Sequence, residues 1–245
     1  MGLRTINERI NQLETEESRK RKRRQKRGKR IVVLVALGLW TDGSGKRQIL
    51  DWEVADKEEQ ATWERLVQRL WERGVRVETG LQAIVRDGSE GLEQALDYVY
   101  GSSLVQQRCI FHKLRTVSNK CVGLDREGKK SFMEQAAAVY QARSAPEARA
   151  RLVAKASHWR ATQPQAVATF EREFEQTIRY YSLEGMVRTT SRLERTNREL
   201  RCKLRQVGCF SSPQGAEVAV YIQVTRLNAE SGSDELVGGF SLPCT

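Results

Sequence analysis

Four side chains in this sequence are of types that take part in catalysis or metal binding. An apolar stretch, LQAIV, ends at Asp87, and the next apolar stretch carries Cys109 and His112 three residues apart. Glu194 lies in a later segment with helical spacing. Carboxylates are the ligands that hard cations such as Mg²⁺ prefer. The two acids are therefore candidates for a metal-dependent site, and the Cys-x-x-His pair needs an explanation of its own.

Each carboxylate also has an ordinary structural explanation. Ligands and catalytic groups collect beyond the carboxyl ends of parallel strands, where Asp87 is expected, but Asp-Gly is equally a turn signal and aspartate caps helices. Glu194 is followed by Asn197, Arg198 and Arg201, which share its side of a helix. That face could hold a metal ligand beside phosphate-binding groups. It could equally be a solvated surface with Glu–Arg pairs worth a few tenths of a kcal/mol.

Apolar periodicity over the first half of the chain indicates an α/β protein. The β-branched run IVVLVALGLW predicts a strand buried in the middle of a sheet, and Asp42-Gly43 predicts a hairpin after it. Strands are predicted at 31–40, 47–54, 81–87 and 103–111, and helices over 57–74 and about 92–99. Because helices connect the later strands, those strands should lie parallel to each other.

The second half has no strand signals. Residues 113–182 predict three or four helices, a further helix is expected from about Thr190 to Arg205, and a partly polar tail follows Pro213. The predicted divisions are 1–30 (lead-in and basic segment), 31–112 (first part of the core), 113–182 (helical insertion), 183–212 (final helix of the core) and 213–245 (tail).

The positive charge of the chain is concentrated in one segment. The formal net charge is +11, and the stretch from Arg19 to Arg30 contains ten Lys or Arg and no acid. This pattern favours a local contact with nucleic-acid phosphates, although a solvated run or a localisation tag has the same composition. The candidate DNA-binding residues here are Arg19, Lys20, Arg21, Lys22, Arg23 and Arg24.

Several classes of protein are disfavoured by the composition. The longest apolar run is about half of the roughly 20 residues that a membrane helix needs, and no secretory signal is evident. Five irregularly spaced cysteines without a CxxC pair, and two distant histidines, predict reduced thiols and no complete zinc site. We therefore expect a cytoplasmic protein without a membrane partner.

The order of these features resembles a known family. The stretch from Ile31 to Arg115, with RDGSEGLEQAL followed by QQRCIFHKLR, resembles the transposases of bacterial insertion sequences of the Mutator type. RTTSRLERTNRELRCKLRQVGCF is similar to their last catalytic helix. The resemblance covers about 31–212, and it requires a strand-end Asp, Arg-Cys-x-x-His, a helical insertion and Thr-x-x-x-Glu-Arg-x-Asn-Arg in that order.

The resemblance implies an RNase H-like fold, a mixed sheet with flanking helices and an all-helical insertion. It implies an Asp, Asp, Glu triad in which Asp87 is the second acid and Glu194 the third. Cys109 and His112 match the family's Cys-x-x-His motif, which we expect to be structural or close to DNA. Two Mg²⁺ ions, with Mn²⁺ as a substitute, would support cleavage and strand transfer of transposon ends. The expected partners are transposon-end and target DNA and further copies of the chain, at the nucleoid, and the implied DNA contacts include Arg195, Asn197, Arg198 and Arg201.

The first acid of that triad has no counterpart in the sequence. It should lie on a strand paired with 31–40, but no aspartate precedes Asp42. We therefore expect an N-terminally truncated copy, whose strand 31–40 has an unpaired side unless residues 3–13 or a partner chain fill it. The alternative to an active enzyme is an inactive DNA-binding fragment, perhaps regulatory, and a third interpretation is an RNase H-like nuclease acting on other substrates.

Overall fold

The computed structural model describes residues 31–208, 210 and 212–231. Its first unit is an antiparallel hairpin of β1 (Val32–Leu39) and β2 (Arg47–Ala55). The Asp42 side chain accepts a hydrogen bond from the backbone N of Ser44 (2.9 Å), and Gly43 takes the positive φ that the turn requires. The hairpin predicted at Asp42-Gly43 is confirmed.

The helix α1 (Gln60–Glu72) lies against this hairpin and begins close to the predicted position. Leu66, Val67 and Leu70 are buried on one face. On another face Arg69 forms ion pairs with Asp51 and Glu53 of β2, at 3.1 and 2.6 Å. A short 3₁₀ turn, Val77–Thr79, leads to the next strand.

The second sheet consists of β3 (Ala83–Arg86) and β4 (Val105–Arg108). These strands are parallel, with Val85 opposite Gln107, and the crossover is made by α2 (Glu90–Tyr100) and a 3₁₀ turn, Gly101–Ser103. The predicted parallel arrangement is confirmed. The expectation of a single mixed sheet is wrong for the residues that the structure describes, because β1 pairs with β2 alone and β3 with β4 alone.

The predicted strand at 103–111 is shorter than its apolar pattern suggests. It ends at Arg108, and α3 (Ile110–Lys120) begins directly after Cys109, which is the residue that precedes the helix. His112 therefore lies in the first turn of a helix. Cys109 and Ile110 are buried by helix packing and not by strand pairing, whereas Phe111 is exposed on α3. Periodicity alone does not separate such a short apolar run from a strand.

The helical region is confirmed and packs around its own apolar core. Its helices after α3 are α4 (Arg126–Val139), α5 (Ala145–Trp159), α6 (Pro164–Glu171) and α7 (Phe174–Thr177), followed by a 3₁₀ turn, Arg179–Ser182. Asp125 and Ser144 cap α4 and α5 by accepting backbone N–H groups of Gly128 and Glu147. Phe132 and Phe170 are almost fully buried at the centre of the core.

Two long helices complete the described chain. The helix α8 (Ser191–Arg205) matches the prediction, whereas the tail predicted after Pro213 is instead a helix, α9 (Pro213–Glu230). Val220 and Val224 of α9 are buried with Val35 and Ile49 of the hairpin. The apolar residues of this helix are numerous but do not fall on one face, so periodicity does not predict it, although Ser212 caps it and proline occupies its first position.

Some predictions lie outside the described residues. These are the lead-in and basic segment, 1–30, and the tail beyond residue 231. Among the described helices, none combines the length and apolar character needed to cross a bilayer.

Lys113 on α3 is the largest of the fully buried side chains, with 1% of its surface exposed. Its Nζ donates a hydrogen bond to the backbone carbonyl of Arg172. Burial, together with repulsion from Arg108 and Arg172, lowers the pKa of Lys113 to about 7. An amine with so low a pKa is charged in the folded state only when the pH is below that value.

This pKa predicts a specific dependence of stability on pH. Between about pH 7 and 10.5 the unfolded chain binds the Lys113 proton and the folded chain does not, so the free energy of unfolding should rise with pH across this window. We expect Lys113→Met to reduce that rise, measured by denaturant unfolding at several pH values. Lys120→Met, at the exposed end of the same helix, should keep the wild-type dependence. Equal pH dependence in wild type and Lys113→Met would contradict the prediction.

Candidate functional site

Asp87 follows the last residue of β3, at the carboxyl end of the parallel pair. Its side chain is exposed, and its Oδ1 accepts a hydrogen bond from the backbone N of Ser89 (3.0 Å). Ser89 precedes the first residue of α2. Both expectations for Asp87 are therefore met in geometry, since it organises the turn and also lies where sheets of this kind present their functional groups.

A buried arginine holds the end of β3 in place. Arg86 donates to Gln106 (2.9 Å), to Gln176 (3.0 Å) and to the backbone carbonyl of Asp87 (3.2 Å), and it is paired with Glu93 at 2.6 Å. Burial lowers the pKa of Arg86, and the neighbouring acids, Glu93 first, oppose that effect. The guanidinium stays charged and its N–H groups have hydrogen-bond partners. Arg86 therefore holds the backbone that carries Asp87 in place.

The glycine after Asp87 allows a second arginine to approach. A Cβ on Gly88 would lie 2.7 Å from Nη2 of Arg108, which is closer than such atoms can come. Arg108 is paired with Glu173. Glu173 has a positive φ of 55°, which residues other than glycine seldom adopt. The Nε of Arg108 is buried without a hydrogen-bond partner among the described residues. Arg108 therefore occupies the space next to Gly88 that a larger side chain would need.

Glu194 lies in the first turn of α8, and Thr190, the residue before the helix, contacts it directly. Thr190 Oγ1 donates to Glu194 Oε1 at 3.1 Å. The same carboxylate oxygen is 3.7 Å from Nε2 of His112, too far for a hydrogen bond. A carboxylate near a helix N-terminus also benefits from the helix dipole.

The Cys-x-x-His pair binds Thr190 and thereby positions Glu194. Cys109 Sγ accepts from the backbone N of Thr190 (3.3 Å) and is 3.4 Å from its Oγ1, and His112 Nδ1 is 3.3 Å from the same hydroxyl. A proton on Nδ1 lets His112 donate to Thr190, which in turn donates to Glu194. This arrangement agrees with a structural role for Cys109 and His112 beside the acids.

The backbone at Cys109 and Ile110 joins the two parts of the site. The N–H of Cys109 donates to the carbonyl of Arg86 (2.7 Å), and the N–H of Ile110 donates to the carbonyl of Arg188 (3.1 Å). Two successive residues thus connect the strand that ends at Asp87 with the segment that leads into Glu194.

Asp87, His112, Glu194 and Asn197 line one cavity of about 900 Å³. The rest of its wall is mostly apolar and comes from both sheets and from α1, α8 and α9. Asp87 and Glu194 are the only acids in its lining among the residues described. Both carboxylates that the sequence predicts therefore line the same cavity.

The predicted DNA-contacting residues on α8 divide into two groups. Asn197 is half-buried in the cavity lining, whereas Arg195, Arg198 and Arg201 are exposed. Within the described part of the chain, no ion pair involves these three arginines. Their charges are therefore available to an external anion. The predicted contacts in the basic segment, residues 19–24, lie outside the described residues.

The donor set fits a hard divalent ion in type. No cluster of three or more His, Cys, Asp or Glu side chains arranged to hold a metal occurs in residues 31–208, 210 and 212–231. Mg²⁺ is commonly bound by one or two protein carboxylates together with water and substrate phosphates. Asp87 and Glu194 would supply that number of carboxylates.

Sequence reasoning missed the residues that support the acids. Thr190 is part of the recognised pattern without a role of its own. A threonine directly before a helix commonly caps it, but here the hydroxyl bonds to Glu194 and not to the helix backbone. The buried Arg86 and the partly buried Arg108 give no signal in the sequence, because arginine is rarely a core residue. Their burial depends on partners distant in sequence.

The chain also matches known proteins. A sequence model of the Mutator family of transposases matches residues 4–231. The transposase for insertion sequence element IS406 of Burkholderia multivorans is 30% identical over 203 residues, which are 81% of this chain and 50% of that protein. The transposase for ISRM5 of Rhizobium meliloti is 31% identical over 187 residues, 75% of this chain and 45% of that protein.

A more distant relative is the transposase for IS256 in transposon Tn4001 of Staphylococcus aureus, 26% identical over 192 residues, which are 74% of this chain and 46% of that protein. The chain thus spans about half the length of the curated relatives it matches. The family match extends over nearly all of the described residues. The chain belongs to the Mutator family of transposases.

Proposed function

We propose that this chain carries the catalytic carboxylates of a DNA transposase that cleaves insertion-sequence ends and joins them to target DNA. The observation that carries the proposal is that Asp87 and Glu194, far apart in sequence, line one cavity. The relatives named above are transposases of insertion sequences. The fold proposed for this activity is RNase H-like.

Asp87 and Glu194 are the residues that would hold Mg²⁺. When bound, the ion would polarise the scissile phosphate and lower the pKa of the attacking hydroxyl or water. The chain's own part is to fix the acids. Thr190 holds one oxygen of Glu194, and the turn after β3 holds Asp87.

The exposed arginines of α8 are suited to the DNA backbone. Arg195, Arg198 and Arg201 follow Glu194 along the helix and have no acidic partner within the described residues. Phosphates bound to them would lie next to the acids, and the basic segment Arg19–Arg30 would add sequence-independent contacts. A protein that binds DNA through both of these regions would be located at the nucleoid. Pairing two transposon ends would require at least a dimer.

A second candidate function is DNA binding without cleavage. It is favoured by the presence of two acids, and not three, in the described cavity lining. In that case the chain would occupy insertion-sequence ends and restrain an intact transposase. Metal-dependent nicking distinguishes the two candidates.

The catalytic proposal predicts that both acids are required. Asp87→Asn and Glu194→Gln should each reduce Mg²⁺-dependent nicking of an insertion-sequence end by at least about 100-fold, because each removes a carboxylate from the metal. Affinity for the same DNA should change little. Glu199→Gln, on the same helix and outside the cavity, is the matched control. Nicking that survives both substitutions would refute the assignment, and binding without nicking by the wild type would favour the second candidate.

The arginine contacts predict a change in salt dependence. Replacing Arg195, Arg198 and Arg201 together by Gln should weaken DNA binding and lower the slope of log K against log [salt] by about three, one for each phosphate contact. Lys120, Arg126 and Lys130, replaced together by Gln, remove the same charge from another exposed surface and should leave the slope almost unchanged. Fluorescence anisotropy over a salt series measures both. Equal slopes for the two triple variants would argue against α8 as the contact.

The contacts of Thr190 predict a positioning role. Thr190→Val removes the hydroxyl that holds Glu194, and we expect a loss of about 10- to 100-fold in kcat with little change in KM. Thr190→Ser should restore most of the activity. The imidazole ¹⁵N chemical shifts of His112 provide a separate readout. The shift of Nδ1 should change in Thr190→Val, which loses the hydroxyl, and should stay the same in Thr190→Ser, which keeps it. Unchanged His112 shifts in Thr190→Val would show that the network is not formed.

A further inference from the structure

Phe111 lies on the surface of the helical region, in the first turn of α3. Although it is a large apolar residue, 52% of its surface is exposed. The other phenylalanines within the described residues are buried or half-buried: Phe132, Phe170, Phe174 and Phe210. Single apolar residues on a surface are common and need no function. What distinguishes Phe111 is its position.

Only one side chain separates Phe111 from a proposed catalytic acid. The ring centroid of Phe111 is 5.9 Å from that of His112, and the two ring planes meet at 73°. His112 lines the cavity, and its Nε2 is 3.7 Å from Oε1 of Glu194. A group that covers the Phe111 ring would therefore lie at the border of the candidate site.

The surroundings of Phe111 are positively charged. Arg115 follows it by four residues on the same side of α3 and is exposed. Arg188 belongs to the neighbouring segment, since its carbonyl accepts the N–H of Ile110. Arg188 is also exposed, and its Cζ lies 4.2 Å from the ring centroid of Tyr180. Within the described residues neither arginine forms an ion pair.

An exposed aromatic ring beside cations suits a nucleotide. The ring can stack on a base, because every base has a π-face, and the guanidinium groups can bind the adjoining phosphates. A protein or a membrane would need a broader apolar area. The remaining exposed residues of α3 are all polar: Arg115, Thr116, Asn119 and Lys120.

A base that stacks on Phe111 has to be unpaired. In a continuous duplex the neighbouring bases cover both faces of each base, so a protein ring reaches a face only where a base has left the stack. Resting on the proposed function, we propose that Phe111 stacks on an unpaired base of the DNA strand whose phosphate meets Asp87 and Glu194. The substrate of the site is then DNA whose pairing is opened beside the reacting phosphate.

DNA binding in EDTA, where metal-dependent nicking cannot occur, tests the stacking. The probe is a short labelled duplex that ends in a single-stranded extension of thymidines, and the matched probe has abasic nucleotides in that extension. Both extensions carry the same phosphates, so only the bases differ. The full chain should bind the thymidine probe about tenfold more tightly than the abasic probe, and Phe111→Ala should bind both equally. Equal affinities in the wild type, or a thymidine preference that survives in Phe111→Ala, would overturn the proposal.

Further variants separate stacking from simple apolar cover. Phe111→Trp keeps an aromatic ring and should retain the thymidine preference, whereas Phe111→Leu keeps only apolar surface and should lose it. Tyr98→Ala removes an exposed aromatic ring from α2 and should bind like the wild type. Thermal unfolding confirms that the variants fold. If Phe111→Leu bound the thymidine probe as tightly as Phe111→Trp, stacking would be excluded.

A photochemical crosslink locates the bound base. With 5-iodouracil in the extension, irradiation of the complex should attach the probe to the tryptic peptide CIFHK, residues 109–113, which contains Phe111. Attachment to other peptides alone would contradict the assignment.

The stacking and the proposed catalysis can fail separately. A thymidine preference that depends on Phe111, in a chain that does not nick DNA with Mg²⁺, would support the stacking and refute the catalytic role. Nicking that requires Asp87 and Glu194, without any thymidine preference, would refute the stacking and leave the catalytic role standing.

Discussion

The site depends on a hydrogen-bonded junction at Cys109 and Ile110. These two residues bond through their backbones to Arg86 and to Arg188, and the thiol of Cys109 accepts from Thr190. The junction joins a strand end to a helix start that are separated by the whole helical region. Each bond is modest in net energy, about 0.5–1.5 kcal/mol, but the groups are buried and would be costly to leave unpaired. These bonds hold the strand end that carries Asp87 next to the segment that leads into Glu194.

Buried charge surrounds this junction and gives it rigidity. Arg86 is almost fully enclosed, with its charge met by Glu93 and by amide and carbonyl oxygens. Arg108 is paired with Glu173 across from the Asp-Gly turn. Such pairs are poor sources of stability, because desolvation offsets their attraction, yet breaking one is strongly destabilising. Here the pair of Arg86 joins β3 to α2, and that of Arg108 joins β4 to the segment before α7. Nearby, burial first and repulsion from Arg108 and Arg172 second lower the pKa of Lys113 and favour its neutral form.

The hairpin and the parallel pair are separate sheets that share a cavity. The helices on either side cover them as they would cover one continuous sheet, with α1 on one wall and α8 and α9 on another. An apolar cavity of this size is unusual in a close-packed protein. The absence of a strand between β1 and β3 in the described chain gives it a physical explanation. It also explains why β1, whose composition is that of a central strand, has only Leu34 and Val35 fully buried.

The local elements could be predicted well from the sequence. The hairpin at Asp42-Gly43, the amphipathic helix α1, the parallel pair and the helix that carries Glu194 all follow from periodicity and turn chemistry. The errors occurred where burial has a non-local cause. The predicted strand at 103–111 is too long because Ile110 is apolar for the packing of the helical core, and the exposed Phe111 continues the same apolar run. The helix α9 is not predicted because its apolar residues lack a helical period and the hairpin that Val220 and Val224 cover lies far away in sequence.

The sequence by itself determined which acids were candidates and on which elements they lie, because residue type and spacing report local conformation directly. It also marked Cys109, His112 and Thr190 as a pattern. Only the tertiary structure decided that the thiol, the imidazole and the hydroxyl form one network that positions Glu194, and that the two sheets remain apart around a cavity. Those outcomes depend on hydrogen bonds between groups 78 to 81 residues apart, and the spacing of residues along a chain does not specify which distant groups will meet.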